Sequence, residues 1–182
     1  VDTSCFDFNK WKKCINKVLT NCSYMLLSES DSQGESALRY EIAKYLYSFR
    51  GVSCSPDQVI ISAGTQQTSQ HLSRVLQDLD IYTVATETPG YAPVTQIFRN
   101  NRFSIFEIPV LDDGIEIEKL PVNIPSAVYV NPSNQFPTGS VMPIGRRYDL
   151  LAWAEKNDSY IIEDDYDSEL RYFGRPIPAL KS

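Results

Sequence analysis

The chain has 182 residues, of which 42% are hydrophobic and 22% charged, and a net charge of −6 from 17 basic and 23 acidic side chains. This is enough to bury a substantial core within one globular domain. No basic run is dense enough to track nucleic-acid phosphates, so this chain alone is expected to be a poor nucleic-acid binder.

Cys5, Cys14, Cys22 and Cys54 show no Cys-x-x-Cys spacing, and the single histidine, His71, falls in a helical pattern away from them. A zinc site is therefore not expected. Without a signal peptide or a membrane-length apolar stretch, the composition predicts a cytoplasmic protein with free thiols. Val1 is not an initiator methionine, and the chain is expected to be part of something longer.

Trp11, Ile15, Val18 and Leu19 recur at helical spacing within residues 9–19, predicting an amphipathic segment. Residues 28–36 turn polar around Gly34, which divides the chain into an N-terminal arm or linker (1–32) and a main body (33–182). Leu38, Ile42, Tyr45, Leu46 and Phe49 mark one face of a helix over about residues 35–50, with Gly51 as its C-cap. Pro56-Asp57 makes a turn, and Val59-Ile60-Ile61 reads as a buried strand.

Ser62-Ala63-Gly64-Thr65-Gln66-Gln67 then opens a helix whose apolar face is Leu72, Val75, Leu76 and Leu79. A glycine turn at a helix start presents unpaired N–H groups at the positive end of the dipole, which suits a phosphate, although Gly-Thr there also serves as a plain cap. The stretch has neither the Gly-Lys-Ser/Thr of a P-loop nor the triple glycine of a dinucleotide fold. A strand over residues 81–85 leads to the turn Glu87-Thr88-Pro89-Gly90-Tyr91 and a helix carrying Val94, Ile97 and Phe98. Tyr91 is placed either to stack on a planar ligand or to pack on the sheet.

Residues 103–110 alternate as a strand and close at Asp112-Asp113-Gly114. A short helical segment (116–120) precedes a buried strand over residues 127–130. That strand breaks into Asn131-Pro132-Ser133-Asn134-Gln135-Phe136-Pro137-Thr138-Gly139, an irregular loop holding amide side chains at a strand end. A helix over residues 144–157 presents Tyr148, Leu151 and Ala154.

The last strand, Tyr160-Ile161-Ile162, runs into Glu163-Asp164-Asp165-Tyr166-Asp167. So many acids cannot be buried unpaired. A solvated loop, a divalent-metal site at Asp164 and Asp165, and a carboxylate aimed at a protonated ring nitrogen with Tyr166 beside it all meet that requirement.

Strands alternate with helices throughout, which predicts an α/β fold with a mostly parallel, doubly wound sheet. Gly64–Gln67, Asn131–Gly139 and Asp164–Tyr166 then lie together at the C-terminal edge of that sheet, where ligands bind in such folds. In this order and spacing the three turns resemble the fold-type-I, pyridoxal-phosphate-dependent aspartate aminotransferase superfamily. The further strings Glu87-Thr88-Pro89-Gly90-Tyr91, Ile162–Tyr172 and Gly174–Leu180 are similar to the MocR subgroup of GntR-type bacterial regulators, in which a winged helix is fused to an aminotransferase-like domain.

The resemblance implies an incomplete large domain with pyridoxal 5'-phosphate as its cofactor. Asp164 would hold the pyridinium N–H, and Tyr166 would donate to the ring's phenolic oxygen. Gly64, Thr65 and Gln66 would bind the phosphate, Tyr91 would stack on the ring, and Asn134 would make a second phenolic contact. The superfamily's asparagine directly before Pro-Thr-Gly is Phe136 here. The cofactor lysine is expected beyond Ser182, since Lys181 lacks its Ser-x-Ser-Lys surroundings, so no catalytic residue is assigned. The parent protein is expected to be a homodimer that senses an amino compound and meets DNA through an N-terminal winged helix. By itself this chain should neither transaminate nor bind an operator. A free-standing aminotransferase and a receiver-like metal-binding module are the alternatives.

Overall fold

Short apolar runs become a parallel sheet here because helices cover both of its faces. The computed structural model describes residues 6–168 and 177–181. Its strands are β1 (Thr83–Thr88), β2 (Ser104–Leu111), β3 (Gly114–Ile115), β4 (Ala127–Val130) and β5 (Tyr160–Glu163), ordered β3-β2-β1-β4-β5. Every pairing is parallel except the short hairpin of β2 with β3. The helices are α1 (Phe8–Asn21), α2 (Ser36–Arg50), α3 (Thr65–Asp78), α4 (Ala92–Asn100) and α5 (Ile144–Lys156).

Successive strand residues point to opposite faces. Val84, Ala127 and Tyr129 therefore join Leu76 of α3 and Val94 and Phe98 of α4 in one core. Ala85, Val128 and Val130 join Leu150, Trp153 and Ala154 of α5 in the other. The sheet is doubly wound and mostly parallel, as the alternation predicts. Phe98 is fully buried. Phe98→Ala is accordingly expected to cost about 3–5 kcal/mol, read from the urea midpoint at constant slope.

Several helix faces differ from the predicted ones, for a common reason. The buried positions of α2 are Arg39, Ala43 and Arg50, while Leu38 and Phe49 are exposed. In α3 they are Ser69, Ser73 and Leu76, while Val75 and Leu79 are exposed. In α5 they are Arg147, Leu150, Trp153 and Ala154, while Tyr148 is exposed. Small or self-satisfied polar side chains let helices approach closely. Ser69 Oγ donates to Thr65 O and Ser73 Oγ to Gln70 O, so neither hydroxyl is buried unpaired.

Val59–Ile61 is not a strand. Ile61 N–H donates to Gln33 O, but no ladder forms, and Ile60 is largely exposed. Glu87, predicted in a turn, lies inside β1 and is buried. Gly51 adopts the left-handed conformation expected of a C-cap, with φ 71°. The α1 helix buries none of its residues.

Candidate functional site

The site grows from strand register. Val130 of β4 pairs with Glu163 of β5, so both strands end level and release Asn131 and Asp164 side by side. Asp164 N–H donates to Val130 O (2.9 Å), and Asn131 Nδ2 donates to Asp164 O (3.0 Å). The Tyr129 hydroxyl, one residue back on β4, donates to Asp164 Oδ2. Burial, and then the bond to the Asp164 carboxylate, push the Tyr129 phenol well above its ordinary range, so it remains a donor.

Thr65, Tyr91, Asn131, Phe136, Asp164 and Tyr166 enclose a cavity of about 180 Å³. Pockets for drug-sized ligands run to about 300–1,000 Å³, so this slot suits a single ring. Tyr91, the N-cap residue of α4, meets Phe136 edge to face, with ring centroids 6.3 Å apart. Burial, with help from the Asp167 and Asp164 charges, raises the Tyr166 phenol and keeps it protonated. Beside the slot, a more open concavity of about 420 Å³ is lined by Gly64, Thr65 and Asp164, among others. Thr65 and Asp164 belong to both, which joins the ring slot to the start of α3. That helix start has no side-chain cap, and Gly64 stands there with φ 85°. The first N–H groups of that helix are thus left uncapped by side chains, the arrangement at a helix start that suits an anion.

The structure therefore gathers Gly64, Thr65, Tyr91, Asp164 and Tyr166 at one edge of the sheet. Gln66 is exposed and lines neither space, and half-buried Asn134 does not line the ring slot. Asn131, Phe136 and Tyr129 are there instead. Strand position was the available signal for Asn131, the first residue after β4 as Asp164 is after β5.

The acidic run is partitioned by alternation. Asp164 faces the slot, while Asp165 turns away and forms an ion pair with Arg50 at the end of α2 (Nε–Oδ2 2.6 Å, Nη2–Oδ1 2.9 Å). Glu163 lies between Arg50 (3.9 Å) and Arg147 (3.8 Å), and its Oε2 accepts from Leu180 N–H (2.9 Å). Two arginines thus supply the counter-charge for Glu163 and Asp165, while Asp164 keeps the Tyr129 hydroxyl as its donor. Asp165 is engaged by Arg50, and no group of three or more His, Cys, Asp or Glu among the described residues is placed to hold a metal ion. Residues 169–176, which belong to the strings quoted from the sequence, lie outside the described residues. Lys181 lines a separate concavity with Arg50, Tyr160 and Glu163.

Glu87 adds a further charge. Its Oε2 accepts from Gln135 Nε2 (3.2 Å) and Asn131 N–H (3.3 Å), while burial pushes its carboxyl from 4.5 up to about 7. A carboxyl raised on folding favours the fold fully below pH 4.5 and loses that contribution as pH rises through 7. Urea unfolding between pH 5 and 8 should therefore show stability falling by up to about 3 kcal/mol from this group.

Residues 5–166 match the family described as aminotransferase class I and II. The chain belongs to that family. A curated relative, the uncharacterized HTH-type transcriptional regulator YdeL of Bacillus subtilis, is 45% identical over all of this chain and 39% of its own length. The HTH-type pyridoxine biosynthesis transcriptional regulator PdxR of Corynebacterium glutamicum is 38% identical over 85% of the chain and 34% of its own length. The probable rhizopine catabolism regulatory protein MocR of Rhizobium meliloti is 36% identical over 97% of the chain and 36% of its own length. The chain thus spans between a third and two-fifths of these relatives.

Among solved structures, an archaeal alanine:glyoxylate aminotransferase superposes with a TM-score of 0.87 at 28% identity, over 99% of this chain and 46% of that one. Pyrococcus horikoshii kynurenine aminotransferase, solved in complex with PMP, gives 0.80 at 26% identity, over 93% of this chain and 44% of that one. In the class I and II family terms, the described sheet, its covering helices and its C-terminal edge form a large-domain α/β fragment.

Proposed function

We propose that this chain is part of the pyridoxal-phosphate-binding effector domain of a MocR-type regulator of the GntR class. The observation that carries this reading is the single slot where Asp164, backed by Tyr129, lies beside the uncapped start of α3. A carboxylate suits a ring N–H, helix N–H groups suit a phosphate, and aromatic walls suit a ring face. The donor set fits the cofactor.

In this reading Tyr129 occupies Asp164 Oδ2, leaving Oδ1 to take the ring N–H and hold its proton. Thr65 and the N–H groups after Gly64 receive the phosphate, with Gln66 contributing its backbone rather than its exposed side chain. Tyr91 and Phe136 close one side and exclude water. Tyr166 and Asn131 are the polar groups for the phenolic oxygen, with Asn131 replacing Asn134. When bound, the cofactor supplies an electron sink toward an amino compound.

Regulation rather than free-standing catalysis is favoured by the relatives. The HTH-type regulators named above are 36–45% identical to this chain, whereas the aromatic-amino-acid aminotransferase 1 of Thermococcus litoralis is 28% identical. The parent protein is then a cytoplasmic homodimer with a winged helix preceding this chain, and residues 1–32 form the arm or linker between them. The apolar, unburied face of α1 supports that assignment: Trp11, Ile15, Val18 and Leu19 are all exposed.

The test uses the full-length protein. Pyridoxal phosphate should bind with a shifted visible absorbance, and DNA from upstream of its own gene should be retarded in a gel to a degree that the cofactor or an amino compound changes. Steady transamination with no DNA binding would favour the free-standing aminotransferase instead.

A further inference from the structure

The cofactor contacts above make no use of Glu87, yet this side chain is built into the wall behind the slot. It lies near the C-terminal end of β1 and is 5% exposed. Its Oε2 takes donors from the start and the middle of the Asn131–Gly139 loop, Asn131 N–H and Gln135 Nε2, while its Oε1 is buried without a hydrogen-bond partner. Gln135 is itself a hub. Its Nε2 also reaches Pro89 O (2.9 Å) and Phe136 O (2.6 Å), and its Oε1 accepts from Thr138 N–H (3.1 Å) and Oγ1 (2.7 Å). One carboxyl thus ties the end of β1 to the Asn131 and Phe136 sides of the slot.

The titratable groups that bear on Glu87 are Asp164 from the end of β5, Tyr129 from β4 and Tyr166 beyond β5. All of these are acidic or neutral; the cation Arg99 of α4, which lines an open concavity with Glu87, is exposed and paired with Glu107 of β2 (2.8 Å). Burial is the main cost of charging Glu87, and repulsion from an ionised Asp164 adds to it. A cation delivered to Asp164 changes that balance by cancelling the neighbouring negative charge.

We propose that Glu87 is a positioning residue that links cofactor binding to proton release. With no cation at Asp164, burial favours the neutral acid form of Glu87. A protonated ring nitrogen at Asp164 lets it ionise, its proton passing to solvent with no other bond made or broken. As a carboxylate it holds Asn131 N–H and the Gln135 amide by charge-assisted bonds, which fixes the wall against the ring. Because linkage is reciprocal, ionising Glu87 in turn tightens binding of the cationic ring. This rests on the pyridoxal-phosphate reading.

The experiment titrates pyridoxal phosphate into full-length wild-type, Glu87→Gln and Glu87→Asp proteins between pH 5.5 and 8.5. The cofactor's own ionisations are common to all three and cancel in the ratio of dissociation constants. Wild type and Glu87→Gln should bind equally at the acid end, with wild type tighter by about tenfold at the alkaline end for a coupling of one pK unit. Glu87→Asp, which keeps an ionisable group, should retain the pH dependence. Calorimetry in buffers of different ionisation enthalpy should show more protons released per cofactor bound near pH 7 by wild type than by Glu87→Gln.

Carboxyl carbon-13 titration of the glutamates in the wild-type protein supplies a readout that needs no folded Gln variant. The Glu87 resonance should titrate near neutrality without cofactor and at lower pH with it. Binding with the same pH profile in wild type and Glu87→Gln, or a Glu87 resonance unmoved by cofactor, overturns this proposal alone. No binding by wild type overturns the cofactor reading and this proposal together.

Discussion

Arg50→Ala is expected to destabilise the domain by up to about 3–5 kcal/mol, because it leaves half-buried Asp165 without its counter-charge and Glu163 with Arg147 alone. Arg50 is 4% exposed and ends α2, yet it meets Asp165 across 115 residues of sequence, and it also bonds Ser133 Oγ (3.2 Å) and Ile177 O (3.2 Å). One guanidinium therefore ties the first helix of the body to the loop after β4, to the acidic run after β5 and to the segment at residue 177. Arg50→Lys should recover only part of the loss, since an ammonium cannot reproduce the planar fork that serves these acceptors together. The double variant Arg50→Met/Asp165→Leu should be more stable than Arg50→Ala, because it removes the stranded charge along with its partner. Urea unfolding of each variant, with the slope checked for constancy, makes the comparison. A loss under 1 kcal/mol for Arg50→Ala would show that water screens this pair as it screens surface pairs.

Asp164→Ala is expected to weaken pyridoxal-phosphate binding by the full-length protein about 10- to 100-fold, the equivalent of one charge-assisted hydrogen bond of about 1.5–3 kcal/mol. It also strands the Tyr129 hydroxyl, which now donates to Asp164 Oδ2 inside the sheet. Part of any stability loss should therefore be recovered by adding Tyr129→Phe, whereas the lost affinity should not be. Asp165→Ala is the control: it faces Arg50 rather than the slot, so it should lower the urea midpoint while largely sparing the affinity. Equal affinity in Asp164→Ala and wild type, measured by titrating the visible absorbance, would remove Asp164 from the site.

The adjacent acids Asp164 and Asp165 show where sequence reasoning succeeds and where it stops. An apolar run ending in carboxylates announces a buried strand opening at a sheet edge, because alternation and the cost of buried charge are local rules. Which acid faces the slot and which faces an arginine depends on partners that are 35 and 115 residues distant, Tyr129 and Arg50. Glu87 is similar. As part of Glu-Thr-Pro-Gly-Tyr it reads as a polar turn, but Asn131 and Gln135 donate to it, and those donors allow β1 to continue through it.

By itself, the sequence determined the strands at residues 127–130 and 160–163, the helices around them, the parallel winding and the glycine-led helix start at Thr65. These follow from periodicity, caps and apolar runs, which act over a few residues. Tertiary structure alone decided that Val59–Ile61 stays out of the sheet, that α2 and α3 bury arginine and serine while Leu38, Phe49, Val75 and Leu79 remain exposed, and that Asn131 rather than Asn134 walls the slot. In each case the outcome depends on what a distant segment brings as a partner: a ladder of hydrogen bonds, a counter-charge, or a strand ending in register.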